Sequence, residues 1–182
     1  MRVESLGLPE VKLIQPRRIA DERGFFSETW NRADFEAAGL DLDFCQENHS
    51  LSKSTGTIRG LHFQRPPFAQ DKLVRVVRGR IWDVAVDLRS ASPTFRQWVA
   101  AELSAEAWTQ MLIPKGFAHG FCTLVPDTEV LYLTTAPYSP DHDTVISWND
   151  PDLAIAWPTA DPVLSERDRS ARPLSGIETP FE

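Results

Sequence analysis

Fourteen prolines and nine glycines are spread through the 182 residues and cut the chain into short segments. Proline cannot donate to a hydrogen-bond ladder, and glycine frees the backbone for tight turns, so such punctuation favours many short strands over long helices. The segments between carry strand character. Over 80–88, Trp82, Val84, Val86 and Leu88 alternate with Asp83, Ala85, Asp87 and Arg89, a period of two. Together with 72–78 this reads as a hairpin turning at Arg78-Gly79-Arg80, with Gly79 at positive φ. Further strands are expected near 12–19, 24–30, 44–50, 57–64, 97–103, 109–114, 117–124, 128–137 and 144–148. Helix is scarce: Asn31 caps a short one that stops at Gly39, and Ser165 caps another with Asp168 at its third position. An all-β sandwich or barrel of about ten strands with a few short helices follows. The length suits a single domain over 1–182 with a substantial core. The segment after about residue 170 lacks periodicity and reads as a tail or partner-facing arm.

A net charge of −7 argues against a non-specific nucleic-acid partner, which needs a basic field. It leaves room for an anionic small ligand held by a few inward Arg and Lys residues. Cys45 and Cys122 are too few for a disulfide scaffold, and a reduced, cytoplasmic setting is the simpler reading. No secretory pattern opens the chain, and no apolar run approaches membrane-spanning length, so no membrane partner is expected.

Two stretches concentrate the chemistry: Arg59-Gly-Leu-His62-Phe-Gln64 and Ile113-Pro-Lys-Gly-Phe-Ala-His119-Gly-Phe. In a regular strand Arg59 and His62 point to opposite faces, but a bulge at Gly60 turns both inward. Alone, His62 would be an ordinary hydrogen-bonded core histidine. With Arg59, Gln64 and Lys72 nearby, an anionic ligand explains charges that are otherwise costly to bury. Pro114-x-Gly116-x-x-His119 resembles the second half of the cupin pattern. The first half asks for His-x-His and a downstream Glu, whereas this chain has His62-x-Gln64 with Ala69 and Gln70 beyond. Transition metals want three or more such ligands, so no metal is expected, a weaker site completed by Glu28 staying open. His62 then reads as a proton-transfer base. Tyr132 shares a strand face with Val130 and Thr134, either as a core phenol or as a proton donor. Asp168 is either a helix-capping acid or the partner that orients His62, and Asp83 is a rival for the second role. Gln46 with Asn48, Phe26 with Glu28, and Arg23 beside Gly24 are each weak signals. Together they offer donors, an acceptor and an aromatic plane, which a nucleotide sugar needs.

These stretches, with Asp21-Glu-Arg-Gly-Phe-Phe-Ser-Glu28, Gln46-Glu-Asn-His-Ser50, Gln70-Asp-Lys-Leu-Val74, Ser92-Pro-Thr-Phe95, Tyr138-Ser-Pro140, Trp148-Asn-Asp-Pro151 and Leu164-Ser165, run in order along the chain. It resembles the dTDP-4-dehydrorhamnose 3,5-epimerase family. The resemblance implies a cupin-type jelly-roll, a homodimer, no cofactor and a dTDP-linked 4-keto-6-deoxy sugar as substrate. It implies His62 as general base, Tyr132 as general acid, Asp168 as the partner of His62, and Lys72 near the substrate ketone. Arg23, Phe26, Glu28, Gln46, Glu47 (through its backbone), Asn48, Arg59, His119 and Tyr138 fall at substrate positions. Asp143 and Arg167 stand there too, where the family has Glu and often Lys, which bears on substrate choice more than on reaction class. A one-carbon epimerase, a ketoisomerase of the same barrel class, a metal-dependent cupin and a non-catalytic binding module are the rival readings.

Overall fold

The structure, a computed structural model, describes residues 1–182. Its elements in chain order are β1 (Arg2–Ser5), β2 (Lys12–Gln15), β3 (Ile19–Asp21), β4 (Gly24–Phe26), α1 (Arg32–Ala37), β5 (Gln46–Ser52), β6 (Ile58–Gln64) and β7 (Lys72–Arg78). There follow β8 (Arg80–Asp87), β9 (Trp98–Ser104), β10 (Gln110–Ile113), β11 (Phe117–Thr123), β12 (Thr128–Thr134), β13 (Asp143–Val145) and α2 (Glu166–Arg169). A six-stranded sheet in the order β1-β2-β10-β7-β12-β5 faces a five-stranded sheet in the order β13-β6-β11-β8-β9. Pairings within both are antiparallel. From β5 onward the chain crosses from sheet to sheet at nearly every connection, which makes this a jelly-roll. β3 and β4 pair only with each other, as a separate hairpin.

The expected hairpin of 72–78 with 80–88 is a corner instead. β7 pairs with β10 and β12, whereas β8 pairs with β11 and β9 in the opposite sheet. Gly79 does turn the chain at φ 79°, and any side chain there would crowd Thr128 and Val125. Alternation fixes which residues share a face; it carries no information on which strand lies alongside. The expected strand 12–19 is likewise split, because Pro16 ends β2 and β3 begins only at Ile19. β1 was not among the expected strands.

Three apolar clusters cover every layer. Between the sheets, Val74, Val76, Met111, Ile113 and Val130 meet Ile81, Ala85, Leu103, Phe117 and Phe121. Phe35 of α1 covers Ile14, Leu73 and Leu112 on the outer face of the larger sheet. On the outer face of the smaller sheet, Leu61, Phe63, Val84, Val86 and Ala118 lie under Ile146, Leu153, Leu174 and Phe181. The segment after residue 170 therefore packs back on the body rather than extending as an arm. Ser90 donates through N and Oγ to the Phe181 carbonyl at 2.9 and 3.0 Å, and Ser147 N donates to the Arg172 carbonyl. Burying a side chain the size of Leu or Phe contributes about 1.5–3 kcal/mol, so this cover is part of the fold. It also decides what β8 does: the Trp82–Val84–Val86 face is covered, and Asp83, Ala85 and Asp87 face the space between the sheets.

Candidate active site

The site begins with Gly60. The β6–β11 register slips between the pairs His119↔His62 and Phe121↔Arg59. Gly60 sits at φ 136°, and a Cβ there would collide with Gly120 Cα and lie 2.9 Å from the His119 carbonyl oxygen. Only glycine permits this bulge, and it brings Arg59 and His62 to the same cavity. Arg59 Nε donates to Ser52 Oγ at 3.1 Å and its Nη2 to the Leu51 carbonyl at 3.1 Å, which fixes the guanidinium at the rim.

A cavity of about 420 Å³ opens between the sheets, lined by Arg59, His62, Lys72, His119, Tyr132 and Asp168 among others. It adjoins a second, polar one that holds Gln46, Asn48, Tyr138 and Asp143 and shares His62, Lys72, Tyr132 and Arg167 with the first. His62 Nε2 lies 2.6 Å from Asp168 Oδ1. Asp168 is held in turn by Ser165, whose Oγ donates to Oδ2 at 2.8 Å and accepts from Asp168 N at 3.1 Å. The two readings of Asp168 thus describe one arrangement, in which the helix cap aims the carboxylate at the imidazole. Burial pushes this carboxyl up, but its bonds to His62 and Ser165 and the charge of Arg167 prevail, and its pKa falls below the ordinary value. An ionised Asp168 keeps the proton on Nε2, which leaves Nδ1 as the ring's basic nitrogen.

Asp83 serves the other histidine. Its Oδ1 lies 2.6 Å from His119 Nε2, and its Oδ2 is buried without a partner. Burial lowers the pKa of His119 despite that carboxylate, so the ring is neutral at neutral pH. Lys72, in register with Thr134 and Ile113, is buried beside both dyads, and its Nζ makes one long bond of 3.4 Å to the His62 carbonyl. Burial lowers its pKa to about 8, opposed by Asp143 and Asp83. Burial raises the pKa of Tyr132, which keeps the phenol protonated. Arg167 Nη1 binds Asp143 Oδ2 at 2.7 Å where the two cavities meet. The arrangement can take a proton from carbon with one group, meet developing negative charge with a second, and return a proton with a third.

Four expected residues lie away from this cavity. Arg23 is exposed on the β3–β4 hairpin and paired with Asp21 at 2.6 Å. Phe26 is 70 % exposed and, with Glu28, borders a separate cavity near α1. Glu28 is therefore not placed to complete a metal site with His62 and His119, and nowhere do three His, Cys, Asp or Glu side chains gather as a metal would need. Glu47 points outward, away from the inward Gln46 and Asn48, as strand alternation requires. Ser50, Thr57, Phe121 and Ser165 also line the site. Ser50 was legible from its spacing with Gln46 and Asn48; Ser165 was expected as a helix cap and Phe121 within the His119 stretch, neither as a lining residue, and Thr57 carried no sequence signal.

Comparison with known proteins gives the family. The model of the dTDP-4-dehydrorhamnose 3,5-epimerase family matches residues 5–176. A dTDP-4-dehydrorhamnose 3,5-epimerase of Sinorhizobium fredii is 50 % identical over 183 residues, covering 100 % of this chain and 94 % of its own. The crystal structure of the Bacillus anthracis enzyme with TDP and PPi bound is 51 % identical, with a TM-score of 0.93 over 95 % of this chain and 99 % of that one. The Legionella pneumophila dTDP-6-deoxy-D-glucose-3,5-epimerase in complex with dTDP-4-keto-L-rhamnose is 41 % identical, with a TM-score of 0.94 over 100 % of this chain and 98 % of that one. A jelly-roll whose interior gathers His62, Asp168, Lys72 and Tyr132, with these likenesses along nearly its whole length, is an isomerase, and the chain belongs to the dTDP-4-dehydrorhamnose 3,5-epimerase family.

Proposed function

We propose that this enzyme binds a dTDP-linked 4-keto-6-deoxy sugar in the cleft and inverts the ring carbons that flank the ketone. The observation that carries this reading is the shared cavity of the His62–Asp168 dyad, Lys72 and Tyr132. The ketone acidifies the hydrogens on both neighbouring carbons. His62 Nδ1 takes one as a proton, and the C–H electron pair moves onto the ketone oxygen as an enolate. Lys72, still largely charged at neutral pH, meets that oxygen. The Tyr132 phenol donates a proton to the carbon from the opposite ring face, and the centre is inverted. Exchange with water returns His62 to its neutral form and Tyr132 to its protonated one. The second carbon then follows the same course, and no cofactor enters either step.

Asp168 holds His62 in one tautomer and stabilises the imidazolium that forms. Arg59, His119, Gln46, Asn48, Tyr138, Asp143 and Arg167 border the nucleotide and sugar ends of the cleft. Arg23, Phe26 and Glu28 belong to the same task only if they reach a neighbouring subunit. The exposed Ile19, Phe25 and Phe26 on the projecting hairpin support a homodimer in which they do so. Unpaired Cys45 and Cys122 suit a reducing, cytoplasmic setting.

Incubation with the 4-keto sugar nucleotide in heavy water tests the reading. Deuterium is expected at both flanking carbons. A sugar recovered without deuterium at either would overturn it.

A further inference from the structure

The segment joining β12 to β13 carries Tyr138 to the edge of the polar cavity, with more than half of its surface exposed. An exposed tyrosine on a proline-flanked loop is ordinarily mobile. Here every residue from Ala136 to Ser139 has a backbone group bound to a glutamine side chain. Gln70 Nε2 donates to the Ala136 carbonyl at 2.7 Å, and Gln64 Nε2 donates to the Pro137 carbonyl at 3.1 Å. Gln46 Oε1 accepts from Tyr138 N at 2.9 Å, and Gln64 Oε1 accepts from Ser139 N at 2.7 Å. Gln64 Nε2 also reaches the Phe68 carbonyl at 2.7 Å, tying in the loop that follows β6.

We propose that Gln46, Gln64 and Gln70 are positioning residues that hold Tyr138 at the mouth of the cleft, so that affinity for the nucleotide sugar depends on side chains whose amides are already committed to the backbone. The three come from separate elements: Gln46 from β5 in one sheet, Gln64 from β6 in the other, and Gln70 from the loop entering β7. Between them they lock the segment to both walls of the sandwich. The amide is suited to this because one neutral group donates and accepts at once. A charged side chain in the place of Gln64, which is 4 % exposed, would need a partner the site does not offer. Gln64 follows His62 by two residues and shares its strand face, so one strand carries the proposed base and the central clasp of the clamp. Gln46 lines the cleft and serves the clamp as well: its Oε1 is bound to Tyr138 N and its Nε2 donates to Asn48 Oδ1 at 2.9 Å.

The inference rests on the reading of Tyr138 as a nucleotide-sugar contact, and a binding cycle with dTDP separates the two. Calorimetric titration of dTDP is run on the unmodified protein, Tyr138→Ala, Gln64→Leu and the double variant. Tyr138→Ala and Gln64→Leu are each expected to weaken dTDP by about tenfold, the worth of a hydrogen bond or two. The double variant should bind no more weakly than Tyr138→Ala alone, because the clamp acts only through that ring. In turnover the loss should fall on KM, with kcat within about threefold. Gln64→Leu binding dTDP as the unmodified protein does, or two effects that multiply in the double variant, would overturn the clamp. If Gln64→Leu does not fold, Gln70→Leu in the loop entering β7 answers through the same cycle. Tyr138→Ala without effect on dTDP would sink the clamp together with the role of that ring. Absence of deuterium exchange in the unmodified protein would sink the epimerase reading and leave the binding cycle intact.

Discussion

Asp83 and Asp87 lie four residues apart on β8, both fully buried and both turned between the sheets, and their surroundings are opposite. Asp87 is saturated. Its Oδ1 accepts from Arg89 N and Nε at 2.9 Å each, and its Oδ2 from Arg89 Nη2, Ser92 Oγ and Thr94 Oγ1 at 2.8, 2.6 and 2.7 Å. Burial pushes that carboxyl up, yet these donors hold it at about 2. Asp83 has one partner, His119, and an oxygen with none. A buried polar atom left unpaired costs free energy that evolution could remove, and here it adjoins a nearly unpartnered lysine and two imidazoles. The contrast separates a carboxylate that holds the fold from one that shapes the cavity.

Substitutions can break that contrast, and the largest effect should come from the site itself. His62→Ala should lower deuterium exchange by about 10²–10⁴-fold while leaving the denaturation midpoint nearly unchanged. A stability loss as large as the activity loss would place His62 with Asp87 instead. Next, Asp87→Asn should destabilise by about 3 kcal/mol, because it strips a buried pair of one charge, and the folded remainder should turn over normally. Urea unfolding followed by Trp fluorescence reads this directly. Asp83→Asn should do the reverse: stability within about 1 kcal/mol, since no full hydrogen-bond set is lost, but turnover reduced about tenfold as His119 loses its fixed orientation. Equal stability losses at the two positions would erase the distinction.

Acid and base should sharpen it further. The folded pKa of Asp87 is depressed, so its contribution is present above the unfolded value near 4 and is lost as pH falls through about 2. Asp87→Asn should flatten the stability curve in that window. In the proposed mechanism Lys72 acts on rate instead. The step needs its charged form, so kcat/KM should fall as pH rises through about 8, and Lys72→Arg should remove that limb whatever else it costs.

Local pattern made most strands and both helices legible, because alternation and caps are properties of neighbours in sequence. Asn31 and Ser165 cap as their side chains suggest, each accepting from the backbone N–H three residues on. The β7–β8 corner was misread because pairing depends on where the chain goes after Gly79, which no local pattern encodes. The closing segment carries no periodicity because it covers the smaller sheet one residue at a time, through Leu174 and Phe181. In the site, the bulge at Gly60 was foreseeable from one glycine between two inward residues. Which aspartate meets which histidine was not, since Asp168 reaches His62 across 106 positions and Asp83 reaches His119 across 36. For Arg23, Phe26 and Glu28 the positions along the chain are clear, but in space they stand apart from the cavity.

The central claim is that His62 and Tyr132 act on one bound sugar from opposite faces. Position-resolved deuterium analysis of Tyr132→Phe tests it most directly. The account predicts that deuterium still enters the carbons flanking the ketone, because His62 remains, while inversion at those carbons is lost. Full inversion by Tyr132→Phe, or loss of exchange in that variant with His62 intact, would contradict it.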